Sequence, residues 1–303
     1  MITFTAPIKL KLPQENNPYY QYAKPDTETV DKGWKAVFIG SEGADYIFGD
    51  AFSDTMYGNG GNDGLHGGGG RDFLYGGEGN DTFIGGEGAD EMFGEAGDDF
   101  FWGELDGNKI DGGSGHDTIS YSGMDKGIVV SLRMGGALDP NTFTVKEYIT
   151  DIESVIGTSH DDAIVGDDRQ IGNHLFGGAG NDVLEGGGGT DTIVGGLGAD
   201  ILWGGTESDT FAFNLGDSPG GTSNFDTIRD FDLDDDILQF QVYDPNLADW
   251  SAYETTVDGV TGTWVRITEL QLDGPVAETQ VRYEVFLAGT NLETVGADDF
   301  AFV

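Results

Sequence analysis

Through the middle of this chain an aspartate returns every ninth residue, led by a glycine run and followed two places on by an apolar side chain. Counted from the first glycine, the sixth position of one block is Asp45, Asp54, Asp63, Asp72, Asp81, Asp90, Asp99, Asn108 and Asp117. A second block, with registers starting at Gly157, Gly166, Gly177, Gly186, Gly195 and Gly204, places Asp162, Asn173, Asp182, Asp191, Asp200 and Asp209 there. The register from Gly166 carries two extra residues, which a loop can absorb. Carboxylates at this spacing, with glycines that let main-chain carbonyls come close, form a row of hard oxygen donors suited to Ca²⁺. Aspartates that merely cap turns would not need to fill almost every sixth position.

The eighth positions say what holds these donors in place. They are Ile47, Met56, Leu65, Leu74, Phe83, Met92, Phe101, Ile110 and Ile119, then Ile164, Leu175, Leu184, Ile193, Leu202 and Phe211, with Leu175 and Leu184 separated by the same nine residues. Three residues make a short strand whose middle side chain points inward, and the glycines make the turn. Two nonapeptides complete a coil of about 18 residues, and coils stack at about 4.8 Å. Each turn then stands over the turn two registers later, which brings Asp63 beside Asp81.

Composition agrees. The 303 residues include 52 glycines, against large helices, and glycine does not recur every third residue as a collagen helix needs. Fifty-five acidic and 14 basic residues give a formal charge of -41. A compact fold with that charge repels itself unless cations are fixed in it, and it repels nucleic acid and anionic membrane. With no cysteine there is no disulfide framework. The first residues hold no apolar run of signal-peptide length, and no run is long enough to span a membrane.

The pattern resembles the G-G-x-G-x-D-x-U-x nonapeptide of the RTX (repeats-in-toxin) family. The resemblance implies an all-β fold, a calcium-stacked parallel β-roll in two blocks with a β-strand linker and a β-rich C-terminal cap. Stacked pairs imply about seven Ca²⁺ sites in the first block and about four in the second, about eleven in all. Sites using Asn108 or Asn173 lose a charge and are expected to be weaker. Eleven ions would bring the net charge to about -19. At about 1 mM Ca²⁺ and a dissociation constant of about 10⁻⁴ M, each site stabilises the fold by about 1.4 kcal/mol. Such a chain is expected to be unfolded inside the cell and folded outside it.

The expected organisation is an N-terminal arm or cap over 1–39, the first block over 40–120, a linker over 121–156, the second block over 157–212 and a cap over 213–303. In the linker, Ile128 to Leu132 and Phe143 to Val145 read as strands, and Ile152 to Ile156 leads back into the roll. After the second block, "DTFAFN" and "DTIRDFDLDDDILQF" resemble closing strands, and Asp226, Asp230, Asp232 and Asp235 are candidates for one further ion. An EF-hand is rejected there, because Asp235 and Gln241 stand where that loop needs Gly and Glu. The chain's end resembles the uncleaved signal of type I secretion substrates, which implies an ABC exporter as partner and an extracellular or cell-surface location.

The first 39 residues hold five lysines and four acids, and the remainder nine basic and 51 acidic residues. This segment reads either as a cap on the first coil or as an arm docking on an acidic neighbouring copy. Ninth-position residues Tyr57, Tyr75 and Phe93 are expected to stack on one outer face, and Phe48, His66, Ile84 and Trp102 to line the other. They read equally as ordinary packing and as a contact surface for another chain or a sugar. No His-Glu-x-x-His occurs. Gly216-Asp217-Ser218-Pro219-Gly220 spells a Gly-x-Ser-x-Gly, but the residues after it do not read as the helix that a nucleophile elbow needs. The expectation is a non-enzymatic, secreted structural protein that self-associates through the arm and aromatic faces. The alternatives are a module binding an acidic polysaccharide or host surface, or an accessory module of an RTX enzyme.

Overall fold

The computed structural model describes residues 26–30, 33–214, 217, 225–242, 248–257, 259–271, 278–290 and 295–303. The expected N-terminal arm lies largely outside these residues, as does Ser218. Each nonapeptide contributes one short strand, and successive strands alternate between two parallel sheets that face each other. In one sheet Thr55–Gly60 pairs with Phe73–Glu78 and that with Glu91–Ala96, residue i against residue i+18. In the other, Gly64–Gly69 pairs with Thr82–Glu87 in the same register. This is the expected all-β parallel roll. Among the described residues the one helical element is a 3-10 turn, Ala297–Asp299.

The inward eighth positions build the core. Met56, Leu74, Phe83, Met92, Phe101, Ile119, Ile164, Leu175, Leu184, Ile193 and Phe211 are fully buried between the sheets. Phe83 and Phe101 stack with ring centres 4.6 Å apart. A two-residue side-chain period with one face buried fixes the register, because a one-residue slip would turn the whole set to solvent.

The two repeat blocks form one continuous roll. In the 11-stranded sheet Thr118–Ser120, the last strand of the first block, pairs in parallel with Ser154–Ile156, which pairs with His174–Ala179 of the second. In the 16-stranded sheet the linker inserts a meander. Val145–Thr150 continues the parallel stack, Gly136–Leu138 turns antiparallel, and Val129–Ser131 rejoins Ala163–Val165 in parallel. The expected strand at Phe143 starts two residues later, because Phe143 takes a left-handed φ of 51°. Ile149 and Val155 carry the inward column across the linker. At the far end Glu278–Ala288 lies parallel to Asp226–Ile228, and Phe300–Phe302 parallel to Ile237–Phe240.

Candidate metal sites

The sixth-position residues fall into two buried columns, one along each edge where the chain crosses between sheets. Asp45, Asp63, Asp81, Asp99, Asp117, Asn173, Asp191 and Asp209 follow one edge. Asp54, Asp72, Asp90, Asn108, Asp162, Asp182 and Asp200 follow the other, and every one of these side chains is at most 4% exposed. Within a column a carboxylate's Oδ1 accepts the main-chain N–H of the sixth-position residue one coil earlier wherever there is one; Asp54 and Asp162 accept Ala36 and Ile128 N–H instead. Asp63 N–H donates to Asp81 at 2.7 Å, Asp72 N–H to Asp90 at 2.7 Å, and Asp182 N–H to Asp200 at 2.8 Å.

The second oxygen carries the chemistry. Among the described residues, Oδ2 of Asp63, Asp72, Asp81, Asp90, Asp99, Asp117, Asp182, Asp191, Asp200 and Asp209 is buried without a hydrogen-bond donor. Each faces the first glycine of its own turn, and beside Asp63, Asp72, Asp81, Asp99, Asp117, Asp182 and Asp191 a carbonyl of the next coil faces the same glycine. A Cβ on Gly58 would stand 2.3 Å from Asp63 Oδ2 and 2.4 Å from the Gly76 carbonyl oxygen. On Gly186 it would stand 2.2 Å from Asp191 Oδ2 and 2.6 Å from the Gly204 oxygen. Glycine is therefore required here because any side chain would fill a cradle of converging oxygens.

Such oxygens are costly to bury bare. Burial pushes the carboxyls of Asp72, Asp99, Asp117, Asp182, Asp191, Asp200 and Asp209 up to about 7 and that of Asp81 to about 6. Neighbouring carboxylates add to the shift, Asp226 on Asp200 and Asp191 on Asp209 among them. A buried anion that lacks partners costs several kcal/mol. The set fits Ca²⁺, a hard cation that takes carboxylate and carbonyl oxygens together. Among the described residues no three His, Cys, Asp or Glu side chains converge on one point, so carbonyls must supply much of the coordination.

Four members of the columns do not stand at a nonapeptide position. Glu153 Oε2 accepts Asp117 N–H at 2.9 Å, Asp226 Oδ1 accepts Asp200 N–H at 2.9 Å, and Asp236 Oδ1 accepts Asp209 N–H at 2.9 Å. Glu147 is fully buried as well, within the strand Val145–Thr150 and one residue before Tyr148, the partner of Lys109. The signal was in the sequence as an acid two places before a buried apolar residue: Glu147 and Ile149, Glu153 and Val155, Asp226 and Ile228, Asp236 and Leu238. Of the four acids grouped after the second block, Asp226 joins one edge. Asp230, which accepts Gly204 and Gly205 N–H at 3.0 Å, and Asp232, which accepts Asp234 N–H at 2.9 Å, lie at the other. Asp236 rather than Asp235 continues that column.

The charge missing at Asn108 is replaced nearby. Glu104 Oε2 accepts Gly86 N–H at 2.9 Å and stands 3.1 Å from where a Gly85 Cβ would sit, beside Asp90 Oδ2 at 2.6 Å. Burial raises its carboxyl to about 7. On the outer faces, Tyr57, Tyr75 and Phe93 stack at 5.0 Å intervals, and Phe48 meets His66 at 5.9 Å.

The RTX calcium-binding nonapeptide repeat matches this chain four times, over residues 39–74, 75–110, 84–119 and 172–202. No significant match to a curated protein was found. Among solved structures, the AlgE6R2 subunit of the Azotobacter vinelandii mannuronan C5-epimerase is 30% identical. That alignment covers 48% of this chain and 89% of the subunit, with a TM-score of 0.35. The AlgE6R3 subunit of the same epimerase is 26% identical, with 49% and 76% covered and a TM-score of 0.31. The extracellular lipase LipA from Serratia marcescens is 19% identical, with 91% of this chain and 41% of the lipase covered and a TM-score of 0.32.

Proposed function

This chain belongs to the RTX calcium-binding repeat family, and from that premise we propose that it is exported unfolded, folds on Ca²⁺ outside the cell and self-associates as an extracellular structural component. RTX repeats are typical of secreted calcium-binding proteins. The low Ca²⁺ of a cytosol would leave the buried carboxylates bare, and about 1 mM outside would neutralise them, so folding follows the ion gradient. The resemblance of residues 281–303 to the uncleaved signal of type I secretion substrates supports export through an ABC transporter.

The observation that carries self-association is the outer ladder of Tyr57, Tyr75 and Phe93, continued by Ile39, which is 49% exposed. Tyr46, Phe48 and Phe52 are exposed on the same first coils. Large aromatic side chains exposed together on the first coils of an acidic chain favour a contact with another chain. The same ladder favours a second reading, a module that stacks on the sugar rings of a polysaccharide. Light scattering and circular dichroism recorded together during a Ca²⁺ titration separate the two. Folding followed by growth of large particles supports assembly. Folding to a stable monomer retained on immobilised acidic polysaccharide supports the second reading, and no change with Ca²⁺ removes both.

A further inference from the structure

The linker departs from the repeat on both edges of the roll, and in both places protein atoms stand where the repeat leaves oxygens bare. On one edge the six-residue turn Gly112 to Asp117 is followed, one coil on, by only three residues, Asp151, Ile152 and Glu153. The coil after that has an eight-residue turn, Gly166 to Asn173, whose extra length carries Arg169. The Arg169 guanidinium reaches across the gap. Nε donates to Asp167 Oδ2, one terminal nitrogen donates to Asp151 Oδ1 at 2.8 Å, and the other donates to the Ile152 carbonyl at 3.2 Å and lies 3.3 Å from Glu153 Oε1. Three carboxylates and a carbonyl thus share one fixed cation, and a planar fork of donors suits that set. Glu153 and Asp167 are buried.

On the other edge Glu147 takes the aspartate's place in the stack. Its Oε1 accepts the N–H groups of Glu104 and Leu105 at 2.9 and 3.0 Å, and its Oε2 accepts the hydroxyl of the buried Tyr121 at 2.5 Å. The cradle of Gly103, which in the repeats opens on a carboxylate and a carbonyl, is filled by the Tyr121 ring, 2.2 Å from where a Cβ would sit. None of Glu147, Glu153 or Asp167 holds a donorless buried oxygen, whereas Asp99 and Asp117 before them and Asp182 and Asp191 after them do.

We infer that the middle of the roll is a joint closed by Arg169 and by the Tyr121–Glu147 pair in place of Ca²⁺. The repeats on either side need the ion, and the joint does not. It therefore opens last when Ca²⁺ is withdrawn and offers an edge on which both blocks can stack as Ca²⁺ rises. This holds whether or not copies of the chain associate.

Two measurements on the full chain test it. The first is an anomalous-scattering map of the Ca²⁺-loaded crystal. The expected map has peaks between repeat turns and none between residues 151–153 and 166–173, and a calcium peak there overturns the inference. The second is hydrogen exchange followed while a chelator strips Ca²⁺. Amides of 152–157 and 166–176 are expected to exchange at least about tenfold more slowly than those of 76–84 and 195–202. In Arg169→Gln the lag should disappear, and in Arg169→Lys it should be partly kept. Simultaneous opening in the unmodified chain, or an undiminished lag in Arg169→Gln, overturns it.

Discussion

Replacing Gly76 by alanine separates a calcium cradle from an ordinary turn. The φ of Gly76 lies outside the left-handed range, so alanine brings no backbone strain. At such a position Gly→Ala ordinarily stabilises by about 0.4–1 kcal/mol through the unfolded chain. Here the new methyl would stand 2.1 Å from Asp81 Oδ2 and 2.9 Å from both the Gly94 carbonyl oxygen and the Phe83 ring. Asp81 must move, and it gives up the bond from Asp63 N–H, 2.7 Å long, at about 1.5–3 kcal/mol for a charged acceptor. One Ca²⁺ site is lost with it, about 1.4 kcal/mol at 1 mM and a dissociation constant of about 10⁻⁴ M. The net expectation is a loss of about 2–4 kcal/mol, or about 3–6 °C in the melting temperature of a chain this long, with one ion fewer bound. Gly43→Ala is the control, since its nearest neighbour would be Ser41 Oγ at 3.9 Å. Thermal unfolding in 1 mM Ca²⁺ and equilibrium dialysis read both quantities. If Gly76→Ala binds as many ions and melts with Gly43→Ala, the cradle account is refuted.

Other expectations follow from the same geometry. The buried aspartates have folded pKa values of about 6 to 7, above the ordinary 3.8. Protonation thus favours the folded state: this contribution is complete below about pH 4 and is lost as pH rises through about 6 to 7. Circular dichroism of the decalcified chain should show β structure at pH 5 and lose it by pH 7.5, and equal spectra would count against the shifts. Asp81→Asn keeps the shape of the side chain but removes the charge, so dialysis should find about one ion fewer while Ca²⁺ still folds the chain. Tyr121→Phe leaves Glu147 one donor short and should cost about 1–3 kcal/mol in urea denaturation, with the calcium count unchanged. Tyr75→Ser should leave Ca²⁺-induced folding intact and reduce the scattering of assembled particles; undiminished growth would exclude the ladder as the contact.

What the sequence made legible was whatever obeys a nine-residue count. Asp45 to Asp117 and Asp162 to Asp209 stand in two columns, and Met56 or Leu184 points inward, because a strand and a turn of fixed length leave each side chain one direction. The linker broke the count with a meander and a three-residue turn, so Glu147 and Glu153 escaped notice although each precedes a buried apolar residue by two. Arg169 escaped for a different reason. Of its partners Asp167 shares its turn, but Asp151 and Glu153 come from the turn one coil earlier, and only the stacking of coils brings them to the guanidinium. The join between the blocks was likewise invisible, since the pairing of Thr118 with Ser154 spans a meander whose strand Gly136–Leu138 carries no repeat signal.

The central claim is that the columns of buried carboxylates form their roll around Ca²⁺. Far-ultraviolet circular dichroism of the purified chain at pH 7.5, titrated with Ca²⁺ from a chelated start, tests it most directly. A cooperative rise of β signal, complete near 1 mM and reversed by chelator, is the predicted result. A chain already folded in chelator, with a spectrum that Ca²⁺ leaves unchanged, would contradict it.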